Sequence, residues 1–163
     1  MRERIQSALK DAMRAKDSVR LSTLRLMQAA LKDRDIARRS EEGGGQLTEP
    51  EVMALFSKMV KQREESARIY EEAGRIESAR QERAEQDVIR EFLPKPLSLE
   101  EVDAAVARAI RDTGASSIRD TGKVMGSLKA AYAGRMDFGA VGPRVKAALA
   151  PTGATRPTSR PSA

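Results

Sequence analysis

From Ile5 to Leu149 the apolar residues of this chain recur every three or four positions and nowhere alternate. Ile5, Leu9, Ala12 and Met13 form one stripe, Leu21, Leu24, Met27 and Leu31 a second, and Val52, Phe56, Met59, Val60 and Ala67 a third. Residues at that spacing share one face of a helix at 3.6 residues per turn, whereas a half-buried strand needs a period of two. The chain is therefore expected to be all-α. An Ala-, Glu-, Arg- and Leu-rich composition with 33% charged residues agrees, because these residues lose little side-chain freedom in a helix.

Local signals divide the pattern. Asp17 and Ser18 can cap a second helix, and Glu41-Glu42-Gly43-Gly44-Gly45-Gln46 has no helical role and reads as a loop. Thr48-Glu49-Pro50-Glu51 is a capping-box start, with Pro50 in the first turn where its missing N–H costs nothing. That helix runs to about Tyr70, with Gly74 as its stop, and a fourth carries Ile76, Ala79, Val88, Ile89 and Phe92. Ser98-Leu99-Glu100-Glu101 is a second capping box and Thr113-Gly114-Ala115 ends its helix. Ser117-Ile118-Arg119-Asp120 reads as a third cap, before a helix with Val124, Leu128 and Ala131. Gly134 is a further stop. Asp137 can cap a last helix through Phe138, Val141, Val145 and Leu149, which Pro143 must bend or begin.

Leu93-Pro94-Lys95-Pro96-Leu97 is the expected domain boundary, since two prolines one residue apart cannot continue a helix. The expected organisation is a helical domain of about four helices over 1–93, a Pro-rich join at 94–97 and a small three-helix domain over 98–150. The Pro-, Thr- and Ser-rich 151–163 has too little apolar content to order. Charge follows the same division. Residues 1–93 hold 19 Lys and Arg against 18 Asp and Glu, while 94–150 hold 9 against 6, so the basic excess belongs to the second part and the tail.

The chain has no Cys and no His. Disulfides, thiolate nucleophiles, Cys-based zinc sites and the usual neutral-pH general base are thereby excluded. No catalytic residue, metal site or cofactor is expected. Glu64–Arg68 and Glu71–Arg75 stand at i,i+4 in the favoured order, worth roughly 0.3–0.5 kcal/mol each as surface pairs. The alternative, a carboxylate cluster for a metal or for proton transfer, lacks the His co-ligands such bundle sites use.

Gly122 and Gly126, with Lys123 between them, sit four apart inside a helical pattern, where each Gly costs about 1 kcal/mol relative to Ala. Either a neighbouring helix packs closely there, or a nucleic-acid backbone approaches with Lys123 and Lys129 on its phosphates. Arg135, Arg144 and Lys146 extend the basic surface, which is otherwise only solubilising. With aromatics at 3% and mostly on core stripes, contact with RNA would rest on backbone and shape rather than on base stacking.

Several stretches resemble one family: Lys61-Gln62-Arg63-Glu64-Glu65-Ser66-Ala67, Tyr70-Glu71-Glu72-Ala73-Gly74-Arg75, Phe92-Leu93-Pro94-Lys95, Asp120-Thr121-Gly122-Lys123-Val124-Met125-Gly126 and Ala133-Gly134-Arg135-Met136-Asp137. They look like the YqeY-like proteins of the GatB/YqeY family over about residues 1–150. The Gly-Lys-Val-Met-Gly run and the Leu-Pro-Lys boundary are the most specific marks. Pro96 departs from the family, which often has Gln there, and the Gly43–Gly45 loop and the tail are particular to this chain.

The resemblance implies a helical N-terminal domain and a three-helix C-terminal domain similar to the GatB tail, the end domain of the tRNA-dependent aspartyl/glutamyl amidotransferase. There the tail contacts tRNA and the chemistry lies in a separate domain. It also implies a label of carbon–nitrogen ligase with glutamine as amido donor, for which this sequence offers no site. The leading expectation is a protein associated with tRNA or another structured RNA. The alternatives are an amidotransferase-like or accessory activity, and a protein-interaction adaptor that uses the N-terminal bundle, with a translation-related protein as a further expected partner. The charged start Met1-Arg2-Glu3-Arg4 and the lack of any long apolar run give an expectation of a cytoplasmic protein with no membrane partner.

Overall fold

A computed structural model describes residues 1–40 and 44–150. Part of the expected glycine loop (Glu41–Gly43) and the whole tail from Pro151 lie outside the described residues. Within them the chain is all-α: α1 (Arg2–Ala15), α2 (Ser18–Arg39), α3 (Glu49–Glu72), α4 (Ile76–Arg90), α5 (Leu99–Thr113), α6 (Thr121–Tyr132) and α7 (Phe138–Leu149). The described residues fall into two compact units. The first is Met1–Leu97 together with Tyr132–Asp137, and the second is Ser98–Ala131 together with the residues from Phe138 onward.

Local chemistry explains most helix ends. Asp17 accepts the Arg20 N–H at 3.0 Å and starts α2. At α3 the Glu51 carboxylate takes both the N–H and the hydroxyl of Thr48, each at 2.7 Å, and also the Arg38 guanidinium. Those two Thr48 donors, with Arg38 after them, lower its pKa to about 2. At α5 the box is reciprocal, Ser98 N–H to Glu101 at 2.8 Å and Glu101 N–H to Ser98 Oγ at 3.2 Å. Asp120 gathers the Ser116 and Ser117 N–H groups at 2.9 and 3.0 Å. The cap expected there closes a short 3₁₀ turn, Ile118–Asp120, and α6 begins after it. Gly74, Gly114 and Gly134 all have positive φ, at the ends of α3, α5 and α6. The last helix runs through Pro143 without ending.

The first unit packs α1 to α4 around Ile5, Leu24, Met27, Val52, Phe56 and Ile89, all at most 1% exposed. Burying each such side chain stabilises the unit by about 1.5–3 kcal/mol. Ile76, expected on the α4 stripe, is 49% exposed, and Phe92 lies past the end of α4 but is buried. Antiparallel α3 and α4 are tied by Gln86, whose amide donates to the Val60 carbonyl at 3.3 Å, and by Arg63 to Glu85 at 3.0 Å.

The expected i,i+4 pairs give way to others. Arg68 takes Glu65, Glu71 takes Arg83 of the facing helix through bonds of 2.8–2.9 Å, and Arg75 lies over the Tyr70 ring. An Arg from the next helix presents both prongs to Glu71, which a residue on the same helix four positions away does less well.

Tyr132–Asp137 is fastened to the first unit at several points. The Arg135 carbonyl accepts the Leu97 N–H at 2.9 Å, its guanidinium donates to the Lys95 carbonyl at 3.1 Å, and Asp137 receives Lys61 at 3.0 Å. Gly134, at φ +76°, leaves room for Met53, which a Cβ would meet at 3.1 Å. In the second unit the buried residues are Val102, Ala105, Val106 and Ala109 of α5, Val124 and Leu128 of α6, and Val141, Val145 and Leu149 of α7. Arg144 of α7 pairs with Asp103 of α5.

Candidate nucleic-acid interface

Buried Val124 and Leu128 define the inward side of α6. At 100° per residue, Gly126 lies roughly opposite them, and Lys123 and Lys129 stand about 60° to either side of Gly126. Gly122 falls inside the same arc. All four residues are exposed, and a Cβ added at either glycine would meet nothing within 4 Å. The expectation that a neighbouring helix packs closely on these glycines is therefore not met. Among the described residues no element of the chain uses the room they leave. What remains is a shallow, backbone-lined strip bordered by two ammonium groups.

The five basic residues singled out from the sequence do not share one role. Lys123 and Lys129 border the strip. Lys123 also helps hold the Asp120 pKa down, after the Ser116 and Ser117 N–H groups. Lys146 is exposed on α7. Lys129 and Lys146 each stand in the last turn of a helix, where a cation also complements the helix dipole by about 0.3–1 kcal/mol. Arg144 is committed to Asp103, and Arg135 belongs to the first unit, where it holds the Lys95 carbonyl.

No group of three or more acidic side chains is placed to hold a metal ion among the described residues. The nearest approach to a buried charged cluster is on α3 and α4. There Arg63 and Glu85 pair at 14% and 12% side-chain exposure, and burial, then the charge of Glu85, pushes the Glu82 pKa up. That part of the charged surface is half-buried rather than solvated. It is a closed ion pair between packed helices.

The sequence reading missed a second basic surface. Between α1 and α2 lies a half-open groove of about 670 Å³, lined by Arg2, Arg25, Lys32 and Arg39 among others. Among the described residues no helix is long and apolar enough to cross a membrane.

The described residues thus form an all-α protein of two compact units. The chain belongs to the YqeY-like protein family, whose pattern it matches over residues 2–149. It is 35% identical over 85 residues to altered inheritance of mitochondria protein 41, mitochondrial, of Clavispora lusitaniae, covering 52% of this chain and 46% of that protein. It is 29% identical over 110 residues to the protein of the same name from Lachancea thermotolerans, covering 66% of this chain and 57% of that one. The chain thus spans about half the length of these curated relatives. Both are named as mitochondrial proteins, which overturns the cytoplasmic assignment drawn from the charged start of the sequence.

Proposed function

We propose that this chain is an RNA-associated binding protein that uses the exposed face of α6 to approach a tRNA or another structured RNA, with no catalytic site of its own. The observation that carries the reading is the pair of solvent-facing glycines, Gly122 and Gly126. Each costs its helix about 1 kcal/mol against Ala, and no contact in the described chain repays that cost. A ligand backbone seated on the strip would use the space, with Lys123 and Lys129 reaching phosphates on either side. Lys146 adds charge in the same unit. The resemblance of residues 98–150 to the tRNA-contacting GatB tail supports tRNA as the first RNA to try. The alternative, a glutamine-dependent carbon–nitrogen ligase, would have no Cys nucleophile to hydrolyse glutamine, and an adaptor on the N-terminal bundle would rest on half-exposed apolar residues such as Met13, Leu26, Ile36 and Ile69.

The test is anisotropy of labelled bulk tRNA with the full chain across a salt series. Binding should weaken steeply as salt rises, and Lys123→Glu with Lys129→Glu should weaken it further. Binding that ignores salt, or survives the double charge reversal unchanged, would sink the proposal.

A further inference from the structure

The first unit is nearly neutral in sum, yet its charges are not evenly spent. Arg20 pairs with Glu91, Arg38 with Glu51, Arg63 with Glu85 and Arg83 with Glu71. These pairs consume carboxylates on the sides of the bundle away from the α1–α2 groove. In the groove itself four cations meet a single carboxylate, Asp35. Asp35 is already filled: Arg2 grips both of its oxygens at 2.9 Å and the Leu47 N–H takes one of them at 2.9 Å. Arg25 and Lys32 have no hydrogen-bond or ion-pair partner among the described residues. Arg39 feels Asp35 only through its field.

Arg25, Lys32 and Arg39 stand seven residues apart on α2. Seven residues advance about 10.5 Å and drift about 20° around the helix, so the three form a nearly straight row about 21 Å long. A single phosphate group cannot span that row, but a polymer of phosphates can. The wall opposite and the floor supply neutral amides from Gln6 and Gln28, which suit phosphate and sugar oxygens. Of the large apolar side chains that line the groove, Ile5 and Leu31 are at most 3% exposed and Ile36 alone is open, at 52%, so an apolar partner helix would find one isoleucine to bury beside three unspent cations. No aromatic side chain lines the groove, so bases have no stacking platform.

We infer that the α1–α2 groove is a second nucleic-acid track, which holds a phosphodiester backbone on the row Arg25–Lys32–Arg39 without reading its bases. The inference extends the RNA-binding reading to the other unit and shares no residue with the α6 face.

The experiment compares the full chain with two variants, R25A/K32A/R39A and K123A/K129A, against bulk tRNA, a DNA duplex of similar length and polyglutamate. Each phosphate contact contributes roughly 0.7–0.9 to the slope of log K against log salt. The groove variant should therefore lower the tRNA slope by about 2–3 and weaken binding at low salt. R25K/R39K keeps the charges and should keep the slope. A parallel loss on the DNA duplex assigns the groove to the phosphodiester chemistry shared by both polymers, and loss on tRNA alone assigns it to RNA. A groove effect without an α6 effect supports this track while removing the α6 face. A groove variant that binds tRNA with unchanged affinity and slope overturns the inference. So does a groove variant that loses only binding to polyglutamate, which would make the partner an acidic polypeptide. Circular dichroism of each variant confirms that these exposed substitutions leave the fold intact.

Discussion

Removing the Asp35 carboxylate should uncouple the start of α1 from α2 and from the approach to α3. Asp35 is 7% exposed and holds three bonds of 2.9 Å, two from Arg2 and one from the Leu47 N–H. In Asp35→Ala the partly buried Leu47 N–H has no acceptor, a loss of about 1–3 kcal/mol. Arg2 is about a third exposed and turns partly to water, so its share is about 1 kcal/mol. The expected total is about 2–4 kcal/mol, or a fall of about 10–25 °C in Tm for a unit of roughly 100 residues. Asp35→Asn keeps a carbonyl for Leu47 and loses only the ion pair, so it should cost about half as much. The pH dependence follows from the carboxyl pKa. The Leu47 N–H first, then Arg2, hold it below the ordinary value against an opposing effect of burial. A depressed folded pKa gives stability that is complete above the unfolded value near 4 and is lost as pH falls through the folded one. The gap between native chain and Asp35→Asn should be constant from about pH 8 to 5 and close below about pH 4. Urea unfolding followed by circular dichroism reads both quantities. If Asp35→Asn falls as far as Asp35→Ala at neutral pH, or if the gap survives undiminished at pH 2, the bonding scheme is wrong.

Gly122→Ala and Gly126→Ala should each stabilise the protein by about 0.5–1 kcal/mol, since the helix gains and nothing is displaced; thermal melts that fall instead would reveal a contact on that face. Gly134→Ala should destabilise by about 1–2 kcal/mol, because a Cβ meets positive φ and Met53 together, and an unchanged urea midpoint would refute the fastening of that segment. Glu82 has its pKa raised by burial and by Glu85, so its charged form opposes folding at neutral pH. Glu82→Gln should therefore raise stability at pH 7, with the gain fading as pH falls through the raised pKa of the folded state and gone once the carboxyl is protonated in both states; a gain that grows on acidification contradicts the assignment.

What could be read from the sequence was what depends on neighbours in the chain. Ser98 with Glu101, Asp17 with Arg20, and the left-handed Gly114 are complete within a few residues, so spacing alone placed them. The two glycines of α6 stood out for the same reason, as a cost visible within one helix. The choice between packing and openness was not visible, because it depends on what the rest of the chain brings near. Glu71 shows the same limit. Sequence spacing offers Arg75, but the antiparallel hairpin presents Arg83, and Arg75 turns to Tyr70. The α1–α2 groove escaped notice because only the total over 1–93 is near neutral: residues 1–40 hold 11 Lys and Arg against 5 Asp and Glu, offset by 8 against 13 over 41–93. Which of those cations stay unpaired is decided by the packed bundle, which gives Arg20 and Arg38 carboxylates and leaves Arg25 and Lys32 without one among the described residues. Arg135 looked like one more phosphate ligand because its partners, Lys95 and Leu97, lie some forty residues earlier.

The placement of Tyr132–Asp137 bears on how the protein is made. Lys95, Leu97, Met53 and Lys61 are synthesised first and wait for Gly134, Arg135 and Asp137. A nascent chain that has emerged only as far as the prolines thus holds four packed helices with Leu97 unpaired and Met53 uncovered. At a few to about twenty residues per second, that gap lasts seconds on the ribosome. Release of residue 137 closes the seam, so the last step of the first unit's folding is set by translation of the second.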